Sequence, residues 1–130
     1  MGATNFYEVS EGKNAAEAFT NATSDAGYEV GHGGYTGTIA EKGSFHIIEN
    51  PLRISARKFI EQVERFLDGK KCKYPKYQSV FERAAHIYDD KWGPALCIPV
   101  KGKELKEYKQ KYGLAGTHKK VYIFCGLASE

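Results

Sequence analysis

Apolar positions along this chain recur with two different periods, and the changes of period mark its elements. Phe6-Tyr7-Glu8-Val9 is rich in strand formers and is closed by Gly12, which predicts a strand over residues 3–10. Asn14 with Glu17 three residues later makes a capping-box-like start. Ala15, Ala18, Phe19, Ala22 and Ala26 then recur at helical spacing and predict a helix over 15–27. Its apolar stripe is mostly alanine, so it can approach a neighbour closely. Residues 35–41 and 45–49 predict two strands around a turn at Lys42-Gly43. In that hairpin Thr36, Thr38, Ala40 and Lys42 share one face, and Tyr35, Gly37 and Ile39 the other.

The second half is more helical. Ala56, Phe59, Ile60, Val63, Phe66 and Leu67 form one stripe ending before Gly69, which predicts a helix over 56–67. A basic linker, 70–78, is broken by Pro75. Ser79 with Glu82 then opens a further helix, with Val80, Phe81, Ala84, Ile87 and Tyr88 as its apolar set, stopping by Asp90. Residues 95–100 read as a strand in which Pro99 marks an edge or a strand end, pairing with 120–125. Between them Leu105, Tyr108 and Tyr112 lie on one side of a lysine-rich surface helix ending at Gly113. The order of elements predicts an α+β fold, a mainly antiparallel sheet with two to three helices packed on one face, without internal repeats.

At 130 residues the chain reads as a single domain, 1–130, with a lysine-rich insertion near 101–120. No run approaches the roughly 20 apolar residues of a membrane helix, and no basic-then-apolar leader opens the sequence, so a cytoplasmic protein without membrane contact is expected. Cys72, Cys97 and Cys125 are too widely spaced for a disulfide framework or a metal knuckle, and reduced, inert thiols are expected. The net charge of +3 is unevenly spread: residues 1–50 hold two bases and seven acids, and residues 51–130 hold 17 bases and nine acids. That rules against a nucleic-acid mimic and allows a basic patch that attracts phosphates.

The richest candidate chemistry is in residues 31–42, where Gly31, Gly33, Gly34 and Gly37 crowd together. Backbone N–H groups bared by glycine can ring an anion. The Walker and dinucleotide signatures are both absent, since Thr36 stands where the latter needs its third glycine. A tight structural turn and a ligand loop weigh equally on pattern alone. His32, Tyr35, Thr36 and Thr38 add hydrogen-bonding and stacking capacity that favours the ligand. In Asp90-Lys91-Trp92-Gly93-Pro94 the single tryptophan has core burial as its commoner fate, with a base-stacking platform as the alternative. The lysine runs 70–76 and 101–111, interleaved with tyrosines, read as a solvated face without a specific nucleic-acid motif. Four scattered histidines make no metal motif, and no cofactor is indicated.

Tyr28-Glu29, GHGGYTGTIAEK over 31–42, Asp89-Asp90-Lys91-Trp92-Gly93-Pro94-Ala95, Cys97-Ile98, and Phe124, Gly126 and Ala128-Ser129 carry a resemblance. The chain resembles a group of small, functionally uncharacterised proteins from bacteriophages and bacteria. Shorter members close on FFGWAS, where this chain has Phe124-Cys125-Gly126-Leu127-Ala128-Ser129. The resemblance implies a setting in the bacterial host cell, where small phage proteins counter host defence.

The leading expectation is therefore a non-catalytic protein that sequesters a small phosphate-bearing nucleotide signal. Gly33 and Gly34 with Thr36, Thr38 and Lys42 would hold phosphate or ribose, with His32 as a further donor and Tyr35 or Trp92 against the base. Lys91 would neutralise a second phosphate, and Asp90 would accept from ribose or base. A homo-oligomer would let a pocket form at a subunit junction. The alternative is an inhibitor that grips a host defence protein through 70–78 and 101–112. An enzyme using His32 or Cys97 is the least favoured reading.

Overall fold

The computed structural model describes residues 2–30, 37–114 and 116–129, the side chains of 27–30 apart. Its strands are β1 (Ala3–Gly12), β2 (Phe45–Ile47), β3 (Ala95–Pro99) and β4 (Lys120–Ser129), forming one sheet in the order β1-β4-β3-β2. The α-helices are α1 (Ala15–Val30), α2 (Ala56–Leu67), α3 (Gln78–Tyr88) and α4 (Gly102–Lys111). The fold is α+β and the sheet mostly antiparallel. β1 runs antiparallel to β4 along its whole length, from Ala3 opposite Ser129 to Gly12 opposite Lys120. β3 is antiparallel to β4, whereas β2 is parallel to β3. A parallel neighbour needs a crossover, and α2 and α3 supply it.

Each helix forms where its pattern and caps agree. The Asn14 side chain accepts from the Glu17 N–H at 2.9 Å and Ser55 caps α2 by accepting from Lys58, so both helices start where their apolar stripes begin. Gly69 ends α2 with φ +76°, and the Lys70 N–H returns to the Arg65 carbonyl. α3 starts differently from expectation. A 3₁₀ turn at Pro75–Tyr77 runs directly into it, Tyr77 is the capping residue, and Ser79 lies inside the helix.

α2 and α3 share one face of the sheet, as expected, through Phe59, Ile60, Phe81 and Ala84 against Leu96, Ile98 and Ile123. α1 takes the opposite face. Its Ala18, Ala22 and Ala26 pack with Cys97 and Phe124, and Phe19 meets the rings of Phe45 and Phe124 at 5.1 and 5.5 Å. The reason is β4, where Val121 to Cys125 are apolar and buried without alternation, so both faces need cover.

The expected hairpin is not formed. Residues Ile39–Glu41 make a 3₁₀ turn instead of a strand, with Thr38 capping it by accepting from the Ala40 N–H. Burial drives the change: Ile39 is inserted into the α1 side of the core and Lys42 is buried, so the two do not alternate across a sheet. Residues 45–47 then pair with β3, not with 35–41; of the latter, 35 and 36 lie outside the described residues. Pro99 marks a strand end, not an edge, since β3 lies between β4 and β2.

The thiols test this packing. Burial, with the charge of Glu49, pushes the Cys97 thiol from 9.0 up to about 12, and burial raises Cys125 as well, whereas Cys72 is only half-buried. A folded pKa above the unfolded one gives stability that is complete below pH 9 and is lost as pH rises toward 12. We expect urea midpoints to fall steeply above pH 9 and the Cys97→Ala variant to show a shallower fall. In the native protein a thiol reagent should modify Cys72 first; equal rates at the three cysteines would contradict the burial.

Candidate functional site

Two sequence segments expected to carry chemistry, 37–42 and 90–93, meet in space, and the residue that joins them is Lys42. Its side chain leaves the end of the 3₁₀ turn and passes 5.9 Å from the centroid of the Phe6 ring. The ammonium donates to three backbone carbonyls, those of Asp90 at 3.0 Å, Lys91 at 3.3 Å and Gly93 at 3.0 Å. These lie just past the C-terminus of α3, where the helix dipole favours a cation. Lys42 is only 5% exposed. Burial lowers its pKa from the ordinary lysine value, and the Asp90 charge acts the other way.

The loop it holds is a tight turn. The Asp90 carboxylate accepts from the Trp92 N–H at 3.1 Å, and the Gly93 N–H donates to the Asp90 carbonyl at 3.2 Å. A Cβ at 93 would stand 2.5 Å from the Asp90 Oδ2, so any other residue there has to displace the carboxylate that closes the turn. The opposite side of the site is tied to the sheet by the Gly37 N–H, which donates to the Ser129 carbonyl at 2.8 Å.

These contacts change the roles of the expected site residues. Lys42, Thr38 and Asp90 form the frame, because the ammonium is taken up by carbonyls, the Thr38 hydroxyl accepts from Ala40 and the Asp90 carboxylate closes its own turn. The phosphate role expected of Lys42 is corrected accordingly. Trp92 is 63% exposed, so the commoner fate of a lone tryptophan, burial in the core, is not the one taken here. The Lys91 ammonium lies 5.3 Å from the Trp92 ring centroid and 3.5 Å from the Gly2 carbonyl. His32, Gly33, Gly34, Tyr35 and Thr36 lie outside the described residues. Sequence reasoning missed the carbonyl of Gly93 and the ring of Phe6. Backbone acceptors leave no signal in residue identity, and Phe6 is 36 positions from Lys42 along the chain.

Of the residues considered for catalysis, Cys97 is wholly buried with a raised pKa, so its thiol is neither ionised at neutral pH nor reachable. His46, His86 and His118 are exposed on separate segments. Among the described residues no three His, Cys, Asp or Glu side chains cluster as a metal site requires. Nor does any described helix have the length and apolarity to cross a membrane. In comparisons of the chain, no protein-family model matches, and neither a curated protein nor a solved structure does.

Replacing Lys42 by Met keeps its length and removes its charge. We expect a loss of roughly 2–4 kcal/mol, since hydrogen bonds to a charged group contribute about 1.5–3 kcal/mol each and water regains part of that. Urea unfolding measures it, and the emission of Trp92 should shift as the loop loosens. An unchanged midpoint would show that the ammonium does not hold the two segments together.

Proposed function

We propose that this protein binds and sequesters a small phosphate-bearing nucleotide, without turning it over, at the surface where residues 37–42 meet 90–93. The observation that supports this most is Trp92, displayed to solvent on a turn that Lys42, Asp90 and Gly93 hold in shape. Trp92 leaves 63% of its surface to solvent, and a nucleobase stacking on such a ring gains about 1–3 kcal/mol. Lys91 beside the ring supplies a cation for a phosphate. The glycine-rich residues 31–36 directly precede this surface in the sequence, and glycine-rich backbone is a composition suited to anions. The resemblance to small phage and bacterial proteins makes a host immune signal the class of nucleotide to try first.

Trp92 is the chain's single tryptophan, so its fluorescence reports this surface directly. Titration with a panel of linear and cyclic nucleotides should quench it for at least one member. The captured molecule should be recovered unaltered after heat denaturation. Trp92→Leu should weaken that binding tenfold or more while leaving thermal stability nearly unchanged, because the side chain is exposed. Recovery of an altered nucleotide would identify an enzyme. Absence of any depletion would shift the reading to an inhibitor that grips a host protein.

A further inference from the structure

A second surface lies at the other end of β3 and is unrelated to Trp92. On the face that α2 and α3 cover, a groove of about 920 Å³ opens over Tyr7 and Val9 of β1 and Ile123 of β4. Residues 50–57 form one wall, and α4 with residues 99–101 the other. The walls are locked together at the N-terminus of α2, where the Glu104 carboxylate of α4 accepts from the Ala56 N–H at 2.8 Å. The lysine-rich segment is therefore a structural wall of this groove.

The charge on these walls is lopsided. Arg53, Arg57, Lys101, Lys103 and Lys111 face Glu104 and Glu107. Glu104 is committed to Ala56, Lys101 pairs with Glu49, and Lys103 approaches Glu107 at 4.0 Å. Arg53 and Arg57 on one wall, Arg57 donating to the Tyr7 hydroxyl, and Lys111 on the other supply the excess of positive charge. Rings sit between them: the Arg57 guanidinium lies 6.0 Å from the Tyr7 centroid, and the Lys111 ammonium 5.5 Å from that of Tyr112. Tyr112 is packed on Tyr108 with centroids 4.5 Å apart and remains 55% exposed; Tyr7 is 43% exposed.

Two features decide what such a groove takes. Two N–H groups at the start of α2 are already used, Ala56 by Glu104 and Lys58 by Ser55, so an anion here would be held by long, adaptable side chains and not by a fixed backbone cradle. That suits a charged polymer better than one phosphate in one geometry. An acidic peptide would satisfy the cations and leave the tyrosine faces unused, whereas unpaired bases would cover them. Cations tracking a backbone beside aromatic platforms are the means by which single strands are bound without sequence preference. α4 is about 15 Å long at about 1.5 Å per residue, which spans about four nucleotides at the roughly 3.4 Å rise of a stacked strand.

We propose that this groove binds single-stranded nucleic acid without sequence preference, Arg53, Arg57 and Lys111 neutralising phosphates while Tyr7 and the Tyr108-supported Tyr112 receive bases. The test is fluorescence anisotropy of a labelled 12-nucleotide oligo(U) and oligo(dT) with the full chain. Both should bind at 50 mM salt and weaken about twentyfold at 200 mM, the change expected for three phosphate contacts on a single strand. Substituting Arg53, Arg57 and Lys111 together by Gln should weaken binding at least tenfold. Tyr112→Leu should weaken it about fivefold and Tyr112→Phe should restore it, with circular dichroism confirming that each variant folds. Lack of binding at 50 mM would overturn the proposal. So would a duplex or UMP bound as tightly as the single strand. Polyglutamate that competes equally, with Tyr112→Leu without effect, would instead identify an acidic-peptide groove.

Discussion

Strand β4 sets the terms for everything around it. It is paired with β1 along all ten of its residues and with β3 on its other edge, and its side chains from Val121 to Cys125 are buried on both faces. A strand of that kind has to be covered twice. The α2–α3 pair provides a thick cover in which Phe59 and Phe81 stack at 4.9 Å, whereas α1 provides a thin one made of alanines and Phe19, whose ring meets Phe45 of β2 and Phe124 of β4. Gly126 interrupts the apolar run at φ +144°, where a Cβ would come 3.3 Å from the last helical carbonyl of α3, that of Tyr88. The end of α3 therefore comes up to β4 at a position where the strand has no side chain.

Lys42 solves a problem that this arrangement creates. α3 ends over the sheet, and the carbonyls of residues 90, 91 and 93 turn inward. Such acceptors are costly to bury without donors. A lysine ammonium is a compact charge with three donors, which matches three converging carbonyls better than the planar fork of arginine. The cost is desolvation of the charge, visible in its lowered pKa and offset by the helix terminus and by Asp90. The consequence for function is indirect. By spending its charge on the frame, Lys42 leaves Lys91 as the cation beside Trp92 and fixes the turn that displays the ring.

Where one pattern decided the outcome, the sequence was readable. The stripe from Ala56 to Leu67, the alanine stripe of α1 and the pairing of 95–100 with 120–125 follow directly from periodicity. The hairpin failed because 35–41 and 45–49 look like strands locally, while the tertiary demand to bury Ile39 and to bring Lys42 to the end of α3 favours a turn at 39–41. The second covered face was legible in principle: Val121-Tyr122-Ile123-Phe124-Cys125 has no polar alternation. The candidate site was half legible, since residue types identified both segments but not their roles. The groove was not legible at all, because Tyr7, Arg57 and Tyr112 come from three distant parts of the chain, and their juxtaposition depends on one carboxylate, Glu104, reaching the start of α2.

The uneven charge of the chain gives the two surfaces a common physical basis. Residues 1–50 carry a net −5 and residues 51–130 a net +8, by count of two bases against seven acids and 17 against nine. The strands of the two halves interleave, β1 with β4 and β2 with β3, but the helices divide: α1, whose sequence holds three acids and no base, lies on one face of the sheet, and α2 and α3, from the basic half of the chain, lie on the other. A polyanion is drawn to clustered cations and repelled by clustered carboxylates, and with a Debye length of about 8 Å at physiological salt both effects are local. The groove sits within the basic half, where several cations act together on a long anion. The Trp92 turn lies at the opposite end of β3, with Lys91 over its ring and Lys42 buried beneath it. Placement alone thus separates a surface suited to a polymer from one suited to a single small ligand.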